Sequence, residues 1–564
     1  MNSYPRLALL AVCAITQSHL LAGEVLYNGI ALPDEWPPKI AELTRDPLAL
    51  PPYLAAPPAV IPIDIGRQLF VDDFLIDQTT LQRTFHHPQY DPASPVLVPD
   101  KPWEGQGARM RAGCFSDGVW FDPHDQLYKM WYWASASSEK PLTFDTCLAT
   151  SRDGIHWEKP AFDVVPGTNI VLRDEPNVHR NSSTVWLDHA DAGPQRRFKM
   201  FRVVQGEDAG GVGKKQGNRI RVSFSPDGIH WTNAGNTDNV GDRSTVFQNA
   251  FRNVWVFGIR DGVPAVSRCR SYAEYPEALP KSNWTGANHG RGKTLWIGAD
   301  QLDPDRPDQN LRRTADRPWD LVPSQLYNLD AVAYESVIVG LFAIWRGQPL
   351  DRPKINELCV GYSRDGFHWS RPDRTAFCPV SEKREDWNWG NVQSAGGCCL
   401  IVGDKLHFYV GAVSGRNERY HPDPMNVGLA TLRRDGFASM DAGATEGILT
   451  TRPVKFAGKY LFVNVAAPQG ELRAEILDEK GQPIVPLTAA NCEPVTIDST
   501  KSLVKWKGAE DLSILADRPV RLRFHLKSGS LFAFWVTPDA SGASHGYVAA
   551  GGPGFPGATD TTGK

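Results

Sequence analysis

This chain of 564 residues has little of what marks several large functional classes. Beyond a short N-terminal stretch, no apolar run approaches the roughly 20 residues needed to cross a bilayer as a helix, so a soluble mature protein is expected. Charge of one sign is missing too: 60 Lys and Arg against 64 Asp and Glu leave a net charge of -4. That balance gives no basis for a nucleic-acid or anionic-membrane partner. Cysteine is sparse, with nine in all. None has the paired spacing of a metal site, and adjacent Cys398 and Cys399 fit buried strand filling. There is no Gly-rich phosphate loop, no Gly-x-Ser-x-Gly elbow and no His-Glu-x-x-His helix, so nucleotide hydrolysis, serine-hydrolase chemistry and zinc proteolysis have no residues to rest on. No cofactor and no metal are expected.

The N-terminus carries Arg6 and then the brief apolar run Leu7 to Thr16, the pattern of an export signal. Residues 1–22 are read as a signal peptide cut near Ala22, which places the protein in the periplasm or outside the cell. An exported chain permits disulfides, but spacing does not pair them.

What the chain does have is repetition. Ser151-Arg-Asp-Gly-Ile-His-Trp157 returns as Ser225-Pro-Asp-Gly-Ile-His-Trp231, as Ser363-Arg-Asp-Gly-Phe-His-Trp369 and, degenerately, as Arg433-Arg-Asp-Gly-Phe437. An Asp-Gly pair between apolar residues signals a tight β-turn, because Gly supplies positive φ and Asp hydrogen-bonds its own backbone. Upstream lie alternating apolar pairs of segments such as Val119-Trp-Phe-Asp-Pro123 before Leu127-Tyr-Lys-Met-Trp-Tyr132. Five units can be traced, the third having Ala265-Val-Ser-Arg-Cys-Arg-Ser271 where the Asp-Gly phrase should stand. Four-stranded units repeating at roughly 60 to 90 residues suit propeller blades. The fold expected is all-β: a five-bladed β-propeller over 64–445, then a β-sandwich over 446–540 built from alternating segments such as Leu531 to Val536. Residues 23–63 read as a Pro-rich arm, and the Gly- and Ala-rich tail 541–564 as disordered. The segment Gln68 to Ile76 is expected either to close the ring or to lie beside its axis.

In a propeller the first strand of each blade lines the central channel, so the segments leading into those strands face the funnel. They supply Asp117, Asp242 and Asp330 from the first, third and fourth units. Converging carboxylates are what glycosidic cleavage needs, one to protonate the leaving oxygen and one to activate water or attack carbon. Asp242 and Asp330 are the expected acid–base pair, with Asp117 third. Glu335 is a further catalytic candidate, although its alignment with Asp122, Asp188 and Asn249 gives it an equal reading as a turn residue. Asp72 and Asp73 are a further possibility, although only one of two neighbours on a strand can point inward. Trp387, Trp389 and Trp103 flank polar segments and suit stacking on a sugar face. Asn181 and Asn391 are polar binding candidates. Arg109, Arg111, Arg180 and Arg243 bring positive charge to the funnel, which fits either an anionic carbohydrate substrate or neutralisation of the Asp cluster. Nothing in the chain sets an oligomeric state.

Phe115-Ser-Asp-Gly-Val-Trp-Phe-Asp-Pro123, Tyr327-Asn-Leu-Asp-Ala-Val-Ala-Tyr-Glu335 and Trp387-Asn-Trp-Gly-Asn-Val-Gln-Ser394 resemble exported family-32-like proteins of polysaccharide-degrading bacteria. The whole arrangement over 64–540 is similar to the glycoside hydrolase superfamily that includes the family 32 invertases and the family 43 arabinanases and xylosidases. The resemblance implies hydrolysis of a plant or algal glycan. It transfers no residue cleanly, since invertase-type enzymes have Asn-Asp-Pro-Asn, Arg-Asp-Pro and Glu-Cys where this chain has Ser116-Asp-Gly118, Asn181-Ser-Ser183 and Asp242-Arg-Ser244. Only the plan of axial carboxylates carries over. A non-catalytic carbohydrate-binding propeller, or a lyase or phosphorylase on the same scaffold, stays open.

Overall fold

The computed structural model describes residues 23–105, 110–135, 144–175, 178–206, 218–280, 284, 292–305, 312–314, 317–318, 323–347, 349, 352–414 and 424–564. Strands dominate throughout, and no described helix is long and apolar enough to cross a membrane.

Five antiparallel sheets follow one another along the chain. The first is built on Leu127–Ser135 and Phe144–Ser151, with Ala112–Gly113 and Val119–Asp122 both pairing with Leu127–Ser135. The second runs in order through Val178–Leu187, Phe198–Gly206, Asn218–Ser225 and Thr232–Val240, and the third through Thr245–Asn249, Val254–Val263, Ser267–Tyr275 and Thr294–Gly298. The fourth contains Gln325–Glu335, Val337–Gly347 and Ile355–Ser363, and the fifth Gly390–Ser394, Leu400–Val402, Lys405–Val413 and Met425–Arg433. Hydrogen bonds link each sheet to the next near its first strand. Val185 N donates to Asp117 O, Ser182 Oγ to Ser244 O at 3.3 Å, Thr245 Oγ1 to Leu329 O and Asn356 Nδ2 to Asn391 Oδ1 at 2.7 Å. Ser116 N donates to Ser394 O at 2.9 Å, so the fifth sheet meets the first and the contacts close on themselves.

The repeated phrases are the staples between these sheets. In the three complete copies the Asp carboxylate accepts backbone N–H groups two and three residues on, as at Asp227 with Ile229 and His230, while the Ser hydroxyl accepts from the Gly N–H; in the degenerate fourth, Asp435 accepts from Arg67, Tyr334 and Asn464. Each turn then docks on the preceding sheet: Tyr409 Oη donates to Gly154 O at 2.6 Å, Trp131 Nε1 to Gly228 O at 2.8 Å, and Tyr334 Oη to Asp435 Oδ1 at 2.6 Å. Gly228 has φ +83°, and a Cβ there would overlap the Trp131 ring. Two independent reasons therefore demand glycine.

Two more sheets share a second core. One contains Asp498–Leu503, Tyr460–Ala466, Gly529–Thr537, Ala438–Ala442 and Gln82–Phe85; the other contains Ile76–Thr79, Gly447–Thr451, Arg521–Lys527 and Glu471–Leu477. Val463, Val465, Phe534, Leu449, Leu472 and Phe524 fill the space between them.

Three expectations need correction. Gln68 to Ile76 neither closes the ring nor lines an axis: Gln68–Leu69 pairs with Gly529–Thr537, and the strand starting at Ile76 pairs with Gly447–Thr451. The strand that completes the fifth sheet is Gln89–Tyr90, on the edge of Met425–Arg433. Asp72 is buried against the Arg364 guanidinium at 2.8 Å, and Asp73 pairs with Arg83. The arm 23–63 has little regular structure but is packed down, with Leu26, Tyr53, Ile61 and Ile63 in the second core and Trp36 against the first. The tail 541–564 is folded. Tyr547–Val548 pairs with Tyr334 and Glu335 at the far end of the fourth sheet's first strand, and Ile401 N donates to Gly551 O at 2.9 Å. Its small residues were the reason to expect disorder, yet they let backbone approach backbone, so hydrogen bonding replaces apolar burial. All eight described cysteines are buried and unpaired.

Candidate functional site

The first strands of the first, second, fourth and fifth sheets are each irregular near where the chain leads in, whereas that of the third keeps an even register. Cys114 to Gly118 stand opposite only Trp131 and Tyr132, between the two short strands of the first sheet. The register slips between Arg180 and Ser183 in the second, between Leu326 and Asn328 in the fourth, and between Gly390 and Gln393 in the fifth. The third sheet is preceded by a turn with Arg243 at φ +63°, and Ser116 and Asn391 also have positive φ. Bulges re-aim side chains out of the pleat and gather beside active sites. Asp117 and Tyr327 both feel the Arg243 charge, and Asn391 N donates to the carbonyl of Lys354, whose Nζ reaches Tyr327.

Two of the carboxylates are buried. Asp117 is fully buried and ion-paired with Arg180 through Oδ1, while its Oδ2 has no hydrogen-bond partner. Burial pushes its carboxyl up to about 7 despite the lowering pull of Arg180 and Arg243. Asp330 Oδ2 accepts from Ser394 Oγ at 2.5 Å, Ser116 Oγ at 2.9 Å and Asn328 Nδ2 at 3.1 Å. Burial lifts it to about 6 against the opposing hydroxyl hydrogen bonds and the Arg270 charge. Ser116, the neighbour of Asp117, thus hydrogen-bonds Asp330, and the Asp330 charge adds to the upward pressure on Asp117.

Asp242 is different. Its side chain is 45% exposed, with Arg260 Nε at 3.4 Å. Between it and Asp330 runs buried Arg270, which feels both charges and donates to Asn328 Oδ1 at 3.1 Å and to the carbonyls of Tyr327 and Arg243. Arg270 thus feels the charges of both Asp242 and Asp330, and Asp117 feels those of Asp330 and Arg243; two of the three predicted carboxylates are buried and one is open.

Arg243 lies with its Cζ 4.0 Å from the Phe115 ring centre, its Nε and Nη1 buried without hydrogen-bond partners. Arg111 stacks on Trp133 at 4.5 Å. Asn181 sits half-buried in the second sheet's bulge, and Asn391 Oδ1 accepts from Asn356 and Gln393. Arg109 lies outside the described residues.

Other predicted residues are employed elsewhere. Glu335 is at the opposite end of its strand, fully buried, 3.2 Å from Arg434 and 3.5 Å from Arg67, and accepts from Ser544 Oγ at 2.7 Å. It anchors the tail, which is the turn-type role its alignment implied. The Trp387 ring fills the space over Gly428 and meets Tyr90 edge-on at 5.3 Å, so it packs the outer part of the fifth sheet and offers no stacking face to the cluster. Trp389 is buried with Arg352 5.2 Å over its ring. Trp103 donates to Asn169.

Sequence reading missed Arg270, Arg268, Tyr327 and Lys354. Lys354 Nζ donates to Tyr327 Oη at 2.6 Å and lies 4.6 Å from the ring centre, with Arg268 Cζ at 5.8 Å. Burial raises the phenol, but Lys354 and Arg243 outweigh it and bring it down to about 7. The two arginines had a signal: they alternate on the segment that replaced the third Asp-Gly phrase.

No family model matches the chain, and no curated protein matches it. Among solved structures it is similar to an N-acetylgalactosamine deacetylase from F. plautii, at 12% identity over 66% of this chain and 97% of that one, TM-score 0.37. It is also similar to a fructofuranosidase from Schwanniomyces occidentalis (12% identity, 78% and 96% covered, TM-score 0.36) and to a glycosyl hydrolase from Bacteroides ovatus (11% identity, 65% and 97% covered, TM-score 0.37).

Proposed function

We propose that this chain is an exported glycoside hydrolase acting on a plant or algal glycan, its five sheets the blades of a propeller and its last two a sandwich. What supports the reading is the contrasting surroundings of Asp117, Asp242 and Asp330, which come from three sheets and are linked through Arg243 and Arg270. Asp242 is open to solvent, as a base that activates water must be. Asp117 and Asp330 are desolvated and keep a proton toward neutrality. Pushing the proton affinities of neighbouring groups apart is how one site runs acid and base chemistry together. The unpartnered nitrogens of Arg243, with Arg111 nearby, favour a substrate bearing a carboxylate or sulfate.

The test is cleavage of a panel of neutral, uronate and sulfated glycosides and oligosaccharides by the full chain. Asp242→Asn is expected to lower turnover by about 100-fold or more. Intact cleavage by both Asp242→Asn and Asp330→Asn refutes the carboxylate assignment, and turnover of neutral sugars alone refutes the anionic substrate. The near-complete burial of Asp117 and Asp330 favours one rival, a carbohydrate-binding propeller that breaks no bond. Oligosaccharide retention without turnover would establish it.

A further inference from the structure

Asp330 is poorly arranged to deliver a proton. Three donors converge on its Oδ2, and Asp117 is sealed beneath Arg180. Tyr327 has the opposite arrangement. It is the extra residue of the fourth sheet's bulge: Leu326 faces Ile344 and Asn328 faces Ala343, leaving Tyr327 unopposed. A bulge there frees the side chain from the ladder's alternation, and the phenol lies near enough to Asp242 to feel its charge. Its Oη accepts from Lys354 Nζ at 2.6 Å. An accepting phenol keeps its own proton available to donate.

We infer that Tyr327 is a catalytic residue of this site, donating its phenolic proton to the departing glycosidic oxygen, with Lys354 as the positioning residue that stabilises the phenolate left behind. The inference rests on the hydrolase reading and names its acid. Water attacks the anomeric carbon as the Asp242 carboxylate takes one water proton. The bond from that carbon to the glycosidic oxygen breaks with its electron pair staying on oxygen, which takes the Tyr327 proton. Solvent then reprotonates Tyr327 and removes the proton from Asp242, so no co-reactant is consumed. The groups facing the phenol support this: Lys354, Arg243 and Arg268 are cationic and favour the phenolate, whereas Asp242 opposes it. Their balance holds the phenol near neutrality, where an acid works best.

Two measurements on the full chain decide the matter. In an ultraviolet titration of phenolate formation, one of the 15 tyrosines should ionise around pH 7. Tyr327→Phe should abolish that step and Lys354→Met should move it upward; no phenolate below about pH 9 overturns the inference, since model tyrosine titrates near 10. In kinetics, Tyr327→Phe should slow alkyl glycosides by about 100-fold or more, and aryl glycosides with strongly acidic leaving phenols by less than about tenfold, since these leave unprotonated. Asp242→Asn should slow both classes. Equal loss on both classes by a Tyr327→Phe protein of unchanged melting temperature overturns the inference, as does the leaving-group-selective loss appearing in Asp330→Asn instead. If the wild type cleaves no glycoside, the hydrolase reading itself fails; if it cleaves and Tyr327→Phe cleaves equally well, only the tyrosine's role does.

Discussion

Replacing Asp330 by Asn should stabilise this protein above neutral pH and do nothing for it in acid. Asp330 is 3% exposed, and its carboxyl titrates at about 6 instead of 3.8 because burial penalises the charge more than Ser394 and Ser116 relieve it. Between pH 4 and 6 the folded protein holds a proton that the unfolded chain has released. Stability is therefore complete below the unfolded value and falls as pH rises through the folded one. A carboxyl that binds its proton about two pH units higher when folded loses about 3 kcal/mol across that window. Asparagine cannot ionise and keeps an acceptor for the two hydroxyls, at a cost of about 1 kcal/mol in weakened hydrogen bonds. The variant should thus match or slightly trail the wild type at pH 4 and exceed it by about 2 kcal/mol at pH 8. Urea unfolding followed by tryptophan fluorescence at pH 4, 6 and 8 measures the difference. A pH-independent gap, or a variant weaker at pH 8, would refute the claim that the Asp330 charge is held at the expense of stability.

Two further substitutions probe the frame that carries the site. Gly228→Ala places a Cβ at φ +83° against the Trp131 ring; backbone strain of about 1–2 kcal/mol and overpacking of about 1–3 kcal/mol add to a loss of about 2–5 kcal/mol in urea unfolding, and a loss under 1 kcal/mol would mean the turn does not bear on the neighbouring sheet. Deleting residues 541–564 strips Ser544 from Glu335 and Asp560 from Arg434 in a fully buried cluster, so thermal unfolding should register about 3–5 kcal/mol of destabilisation, whereas an unchanged melting temperature would return the tail to the disordered state its composition suggested.

How much of this was legible depends on whether a property is local. The repeats were legible because an Asp-Gly turn is decided by a few adjacent residues, and every unit but the third contains its own; even the docking of Gly228 on Trp131 only uses what the turn already supplies. That Asp117 and Asp242 stand where the chain leads into a sheet was legible one step further on, since repetition of a unit implies repetition of its lead-in position, whereas Asp330 lies within the strand Gln325–Glu335. What failed was whatever depended on pairing across the chain. Gln68–Leu69 has strand character, but only Gly529–Thr537, far away in sequence, decides which sheet it joins. Trp387 flanks a polar segment as a sugar-stacking residue would, yet the vacancy over Gly428 claims its ring.

The same distinction separates the carboxylates from Tyr327. An Asp in a lead-in segment announces its chemistry by residue type, whereas a tyrosine in a strand rich in apolar residues announces only packing. Its proton becomes useful through a single-residue slip in register and through Lys354, which arrives from the approach to a different strand. Neither is encoded near Tyr327. Bulges in these sheets can gather such groups because the strands beyond them keep their register, so each bulge re-aims a side chain without disturbing the ladder that follows. On this scaffold the acid need not be a carboxylate: any group that a bulge presents, and that neighbouring cations tune toward neutrality, can take that part, and the slip at Tyr327 satisfies both conditions.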